Sequence, residues 1–140
     1  MKKPVISGNT ISIPSNQEFL ADVDLFIEGV LRGYKVDESV IADIAISVSE
    51  LVNNAICHGN KSELEQPVKV RLERTNGKVE ICVSDQGNGF KFESIDSPIA
   101  DENLMKEVGR GLFIVKSLMD SVDFEVTPEG TTVVITKAVQ

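Results

Sequence analysis

Histidine, cysteine and positive charge are scarce in this sequence, and long apolar runs are missing from it. The single histidine, His58, excludes a histidine-rich metal site. The two cysteines, Cys57 and Cys82, have no framework spacing, so the expectation is two reduced thiols in a reducing cytoplasm. Lys and Arg number 14 against 22 Asp and Glu, a net charge of −8. That field repels nucleic acid and anionic membrane, so neither is expected as a direct partner. It also leaves any phosphate ligand dependent on local help from backbone N–H groups, a metal ion or a placed arginine. No apolar run approaches the roughly 18 residues of a membrane span. Met1-Lys2-Lys3 opens like a signal peptide, but polar Ser7-Gly8-Asn9-Thr10 follows before an apolar region can build.

What is present suits one globular domain over residues 1–140. The hydrophobic share is 41% and the charged share 26%, which excludes a disordered chain. Val5 to Ile13 alternates and predicts a first strand. Pro14-Ser15-Asn16 ends it and can cap a helix. Phe19, Leu20, Val23, Phe26, Ile27, Val30 and Leu31 follow at helical spacing. A second helix is predicted from about Asp37 to His58, with Ile41, Ile44, Ala45, Val48, Leu51, Val52 and Ala55 as its apolar stripe and Gly59-Asn60 as its stop. Val68 to Arg74 and Val79 to Asp85 read as strands joined by the hairpin signal Asn76-Gly77. Residues 86–108 are polar and without period, a long loop of the kind that is usually functional. Gly111 to Asp120 predicts a third helix, and Val122 to Val126 with Thr131 to Val139 a closing hairpin. This order implies an α/β (α+β) two-layer sandwich, a mainly antiparallel mixed sheet with helices packed on one face.

Four short patterns carry candidate chemistry. Glu50, Asn54 and His58 are spaced i, i+4, i+8 and form one polar stripe on the second helix. Taken alone, that is what a solvated helix face looks like; the sharper reading is a carboxylate base beside an amide metal ligand. In Asp85-Gln86-Gly87-Asn88-Gly89, alternation puts Asp85 on the face of Val79, Ile81 and Val83, and two glycines free the backbone for close approach. Such a carboxylate can start an ordinary turn, or accept from an exocyclic amine such as adenine N6. Gly109-Arg110-Gly111-Leu112 precedes an apolar helix, where backbone N–H groups can wrap an anion, although a lone Gly-x-Gly is weak. Gly130-Thr131-Thr132 opens the last strand and by itself is ordinary hairpin chemistry.

Together and in this order, Glu50-x-x-x-Asn54-Ala55-x-x-His58, Asp85-x-Gly87-x-Gly89, Gly109-x-Gly111-Leu112 and Gly130-Thr131 resemble the N, G1, G2 and G3 boxes of the GHKL ATPase superfamily. The resemblance spans about residues 10 to 137. Within it, Gly109-Arg110-Gly111-Leu112-Phe113-Ile114-Val115 ending in Leu118-Met119-Asp120 most resembles the stand-alone anti-sigma-factor serine/threonine kinases of bacteria. That resemblance implies the Bergerat fold, ATP and Mg²⁺ between helices and sheet, and a cytoplasmic protein. It implies Glu50 as catalytic base, Asn54 as Mg²⁺ ligand, and Asp85 on the adenine amine, with Gly87 and Gly89 shaping the base pocket. Gly109, Arg110, Gly111 and Leu112 would lie at the phosphates, Arg110 on phosphate or on a partner. Residues 90–108 would be the ATP lid, and Thr131 or Thr132 would reach toward the adenine side. In the resembled family the kinase phosphorylates a serine on a small antagonist protein, binds a sigma factor, and often forms a homodimer. The competing reading is a silent module that binds ATP or ADP and a partner but transfers nothing. A free-standing ATPase is weaker, since no transducer domain follows, and a histidine-kinase fragment weaker again, since no dimerisation helix with a phospho-acceptor histidine precedes.

Overall fold

The computed structural model describes residues 2–60, 64–86 and 102–139. The predicted first strand is in fact a hairpin: β1 (Val5–Ser7) pairs with β2 (Thr10–Ile13). The break falls at Gly8, whose φ of 58° matches the twist a two-residue hairpin connection needs. A short 3₁₀ turn follows, with the Asn16 side chain accepting from Glu18 N at 2.9 Å. Helix α1 (Leu20–Gly33) buries Val23, Ile27 and Leu31, one residue per turn, against the sheet.

Helix α2 (Glu38–Asn54) buries Ile41, Ile44, Val48, Leu51 and Val52. It does not run on as regular α-helix to His58. It passes into a π-helical turn, Ala55–Gly59, closed by Asn60 N donating to Ala55 O at 2.8 Å, an i to i+5 bond. Glu38–His58 is the only helical stretch among the described residues long and apolar enough to cross a membrane by composition; half of it is buried within the fold, as a core helix would be.

Strands β3 (Val68–Thr75), β4 (Lys78–Ser84), β5 (Ser121–Thr127) and β6 (Gly130–Ala138) complete a six-stranded sheet in the order β1-β2-β3-β4-β6-β5. Every pairing is antiparallel, so the sheet is not mixed. Val68, Val70 and Leu72 of β3, Val79, Ile81 and Val83 of β4, and Val133 and Ile135 of β6 face the helices. Lys69, Arg71, Glu80 and Cys82 line the opposite, open face. Strand periodicity therefore places Thr131 on the helix side, where it is buried, and Thr132 on the open side, where its hydroxyl is 3.1 Å from Ser84 Oγ.

Helix α3 spans Glu102–Leu118, starting well before the predicted Gly111. The reading of residues 86–108 as one aperiodic loop is corrected for its last part. Leu104, Val108, Leu112 and Val115 keep helical spacing, and the intervening Leu, Met, Lys and Glu are good helix formers. Gly109 and Gly111 look like a boundary in sequence but lie inside the helix. The rest of the proposed lid, and Gly87 and Gly89, lie outside the described residues.

Candidate functional site

The polar stripe of α2 is not a solvated face. Helix α3 packs across it: Asn54 is buried and Glu50 and His58 are half-buried. The two helices come close at Gly111. A Cβ added there would stand 2.9 Å from Glu50 Oε2 and 3.6 Å from Asn54 Nδ2. Only a residue without a side chain lets α3 sit this close to the carboxylate, so Gly111 shapes the crevice by leaving it open. The reading of Gly109 to Gly111 as free N–H groups at a helix entrance is corrected accordingly. Inside a helix those amides are directed to carbonyls one turn back. Arg110 is exposed, and Leu112 is buried in the core.

Asn54 Nδ2 has no hydrogen-bond partner among the described residues, although it is buried. Half a turn of the amide would put Oδ1 in the same place, beside the Glu50 carboxylate. These are hard oxygen donors of the kind Mg²⁺ takes, usually one or two from protein and the rest from phosphate and water. Among the described residues no three His, Cys, Asp or Glu side chains converge on a metal-sized site. The donor set thus fits an ion shared with a phosphate, not a protein-only cage.

The second part of the site is the junction of β4 and β6. Asp85, just beyond β4, donates its N–H to Thr131 O at 2.9 Å, and its Oδ1 accepts from Thr131 N at 3.4 Å. Gly130 makes this junction feasible. Its φ is 150°, and a Cβ there would fall 2.0 Å from Asp85 O. The glycine that sequence spacing reads as ordinary hairpin chemistry is in fact the point where two strands' backbones touch.

Asn60 is the residue that sequence reasoning missed. It is buried, and its side chain links Ser15, the Gln66 and Pro67 carbonyls, and the N–H of Gln86 next to Asp85. An asparagine after a glycine signals a helix stop, and nothing local distinguishes a buried hub from an exposed cap. Burial pushes the Cys82 thiol up, with Arg71 opposing, and the hydrogen bond from Arg32 holds Glu38 below the usual carboxylate range.

This layout of a helix pair over an antiparallel sheet, with a carboxylate and amide on one helix and an aspartate at the sheet's end, defines an ATPase-type domain. The chain belongs to the histidine kinase-like ATPase domain family, whose profile matches residues 13–137. Within that family it is 33% identical over 135 residues to the serine-protein kinase RsbW of Staphylococcus aureus, covering 91% of this chain and 84% of the relative. The serine-protein kinase RsbW of Listeria innocua is 31% identical over 134 residues, covering 91% and 85%. Among solved structures, the RsbU and RsbW domains of Rv1364c from Mycobacterium tuberculosis superpose with a TM-score of 0.70 at 21% identity. That match covers 99% of this chain, which spans 33% of that longer protein. The catalytic domain of histidine kinase ThkA gives 0.55 at 16% identity, covering 91% and 95%. The sequence resemblance to GHKL-type serine kinases agrees with these findings.

Proposed function

We propose that this chain is an ATP-dependent protein serine kinase of a bacterial partner-switching system. It would phosphorylate a serine of a small antagonist protein and sequester a sigma factor or a comparable regulator in the cytoplasm. The observation that carries this reading is the Glu50 carboxylate, held beside the orphaned Asn54 amide in a crevice kept open by Gly111. A module that only bound nucleotide would have no use for a carboxylate there.

The mechanism follows from the placement of the chain's own groups. Glu50 accepts the proton of the acceptor serine as that oxygen bonds to the terminal phosphorus of ATP, and the bond to the bridging oxygen breaks to release ADP. Asn54 would hold Mg²⁺, which would supply neutralisation of phosphate charge that a −8 protein cannot. Asp85 accepts from the adenine amine, and its bonds to Thr131 fix its direction. Thr131, on the helix side, is the threonine assigned to the adenine side. The family resemblance assigns Gly87 and Gly89 to the base pocket and Gly109 and Arg110 to the border of the phosphates.

Incubation with γ-labelled ATP and serine-bearing antagonist proteins tests the proposal. Wild type should transfer label to serine. Glu50→Gln should lose about 10²–10⁴ in rate, the usual worth of a general base. Its ATP affinity should change by less than about tenfold, roughly 1.4 kcal/mol. Absence of transfer by wild type, or transfer by Glu50→Gln at the wild-type rate, would leave only an ATP- or ADP-binding interaction module.

A further inference from the structure

We propose that Asn60 is a positioning residue that aims Asp85 at the purine and so sets the adenine-over-guanine preference. The inference rests on the reading of Asp85 as the base-recognising carboxylate. Among the described residues, none of the Asn60 side-chain hydrogen bonds goes to Glu50, Asn54 or Gly111.

The geometry is specific. The Asn60 side chain is 1% exposed. Its Nδ2 donates to Ser15 Oγ at 2.9 Å, to Gln66 O at 2.8 Å and to Pro67 O at 3.2 Å. Its Oδ1 accepts from Gln86 N at 2.9 Å. A primary amide offers two N–H donors and one carbonyl, so every polar atom of this side chain is engaged. Four chain segments therefore meet at one amide: the end of the π turn, the residues after β2, the approach to β3, and the exit from β4.

Gln86 is the next residue after Asp85, and β4 has already ended at Ser84. Beyond the strand, Asp85 is bonded to Thr131 on one side, and Gln86 is bonded to Asn60 on the other. With both tethers the backbone around Asp85 is fixed at each end, and the carboxylate direction is fixed with it. Without Asn60 the tether on the Gln86 side is lost. The aspartate can then turn toward solvent or follow whichever base enters. The backbone N–H of the same asparagine closes the π turn that carries His58, so the end of α2 and the exit from β4 are tied to a single residue, by its main chain and its side chain respectively.

The test compares ATP and GTP affinities by calorimetry in wild type, Asn60→Ala, Asp85→Asn and the double variant. Expected are a fall of about tenfold in ATP affinity for Asn60→Ala and a collapse of the ATP-to-GTP ratio toward that of Asp85→Asn. In the Asp85→Asn background Asn60→Ala should then change ATP affinity less than about threefold, because the two act through one contact. If Asn60 only supports the fold, both nucleotides weaken by the same factor and the ratio is unchanged, which overturns the inference. Ser15→Ala removes one anchor of Asn60 without removing Asn60. It should lower the ratio in the same direction but less, and an unchanged ratio there counts against the proposal even if Asn60→Ala fails to fold. Hydrogen exchange gives a readout free of nucleotide: the Gln86 amide should exchange faster in Ser15→Ala and Asn60→Ala while the β3–β4 ladder stays protected. A wild-type chain that binds ATP and GTP equally would overturn the Asp85 reading together with this one. Discrimination retained in Asn60→Ala would overturn this one alone.

Discussion

Gly111 of α3 lies so close to Glu50 of α2 that a single added carbon would stand 2.9 Å from the carboxylate oxygen Oε2. The contact is between a helix backbone and the end of a flexible side chain, so it is the side chain that yields. Gly111→Ala should therefore fold well. A helical Gly→Ala change favours the helix by up to about 1 kcal/mol, which offsets the crowding. Phosphoryl transfer should nevertheless fall by about 10²-fold, since a displacement of about 1 Å in a reacting group can cost that much. Gly29→Ala, on the exposed side of α1 with nothing within 4 Å, should stabilise to a similar degree and leave transfer intact. Thermal melts and transfer rates measured side by side check this; a Gly111→Ala protein with normal rate would remove Glu50 from the chemistry.

Asn54→Ala separates structure from function when stability and nucleotide affinity are both measured. The Asn54 Nδ2 has no hydrogen bond among the described residues to lose. Asn54→Ala should thus change apo stability by no more than about 1 kcal/mol, at the mild end for a buried site. ATP affinity in magnesium should fall sharply, and EDTA should no longer lower it further. ADP affinity should depend less on both, since the third phosphate carries the extra charge. Magnesium dependence that survives in Asn54→Ala would place the ion elsewhere.

An ionised Asp85 can only accept hydrogen bonds, which favours the adenine amine and opposes the guanine O6. A buried group left unpaired costs about 1–3 kcal/mol, so GTP should bind at least about tenfold more weakly than ATP. Asp85→Asn keeps the volume but exchanges one acceptor for a donor, and ATP affinity should drop. Calorimetry with both nucleotides decides; equal affinities in wild type would end the assignment.

Much of the fold is legible because burial writes period into the sequence. Val68, Val70 and Leu72 alternate with charged neighbours, and Val23, Ile27 and Leu31 recur once per turn, so β3 and α1 stand where they are expected. The misreadings have equally physical causes. Gly8 splits the first strand because one positive φ suffices for a turn, and alternation on either side survives it. Gly111 reads as punctuation because glycine is a poor helix former, whereas in the fold it lies inside α3 facing the Glu50 carboxylate. The order of the motifs points to the site, but the contacts that build it do not show. Glu50 meets Gly111, 61 positions further along the chain, through packing that no local pattern encodes, and Asn60 is bonded to Ser15 and Gln86, 45 and 26 positions away.

Gly130 tests whether the β4–β6 junction itself shapes the site. Its φ of 150° is one that a residue with a side chain rarely adopts, and its Cβ position is 2.0 Å from Asp85 O and 2.9 Å from Gln86 Cα. Both neighbours are main chain, so no rotamer change can relieve the clash. The strands must part at the place where Asp85 and Thr131 exchange hydrogen bonds. Gly130→Ala should therefore destabilise by about 2–4 kcal/mol, in the upper range for a single substitution at a strained backbone. Gly8→Ala offers the comparison: φ is also positive, at 58°, but nothing lies within 4 Å. It should cost only about 1 kcal/mol, the backbone share alone. Urea unfolding gives both numbers, read from midpoints at unchanged slope. At urea-free conditions where Gly130→Ala remains folded, its ATP affinity should be at least about tenfold below wild type, because the Asp85 carboxylate has lost its fixed direction. Gly8→Ala should bind ATP like wild type. If Gly130→Ala loses stability but keeps full ATP affinity and preference over GTP, the junction is structural only, and Asp85 does not read the base from it.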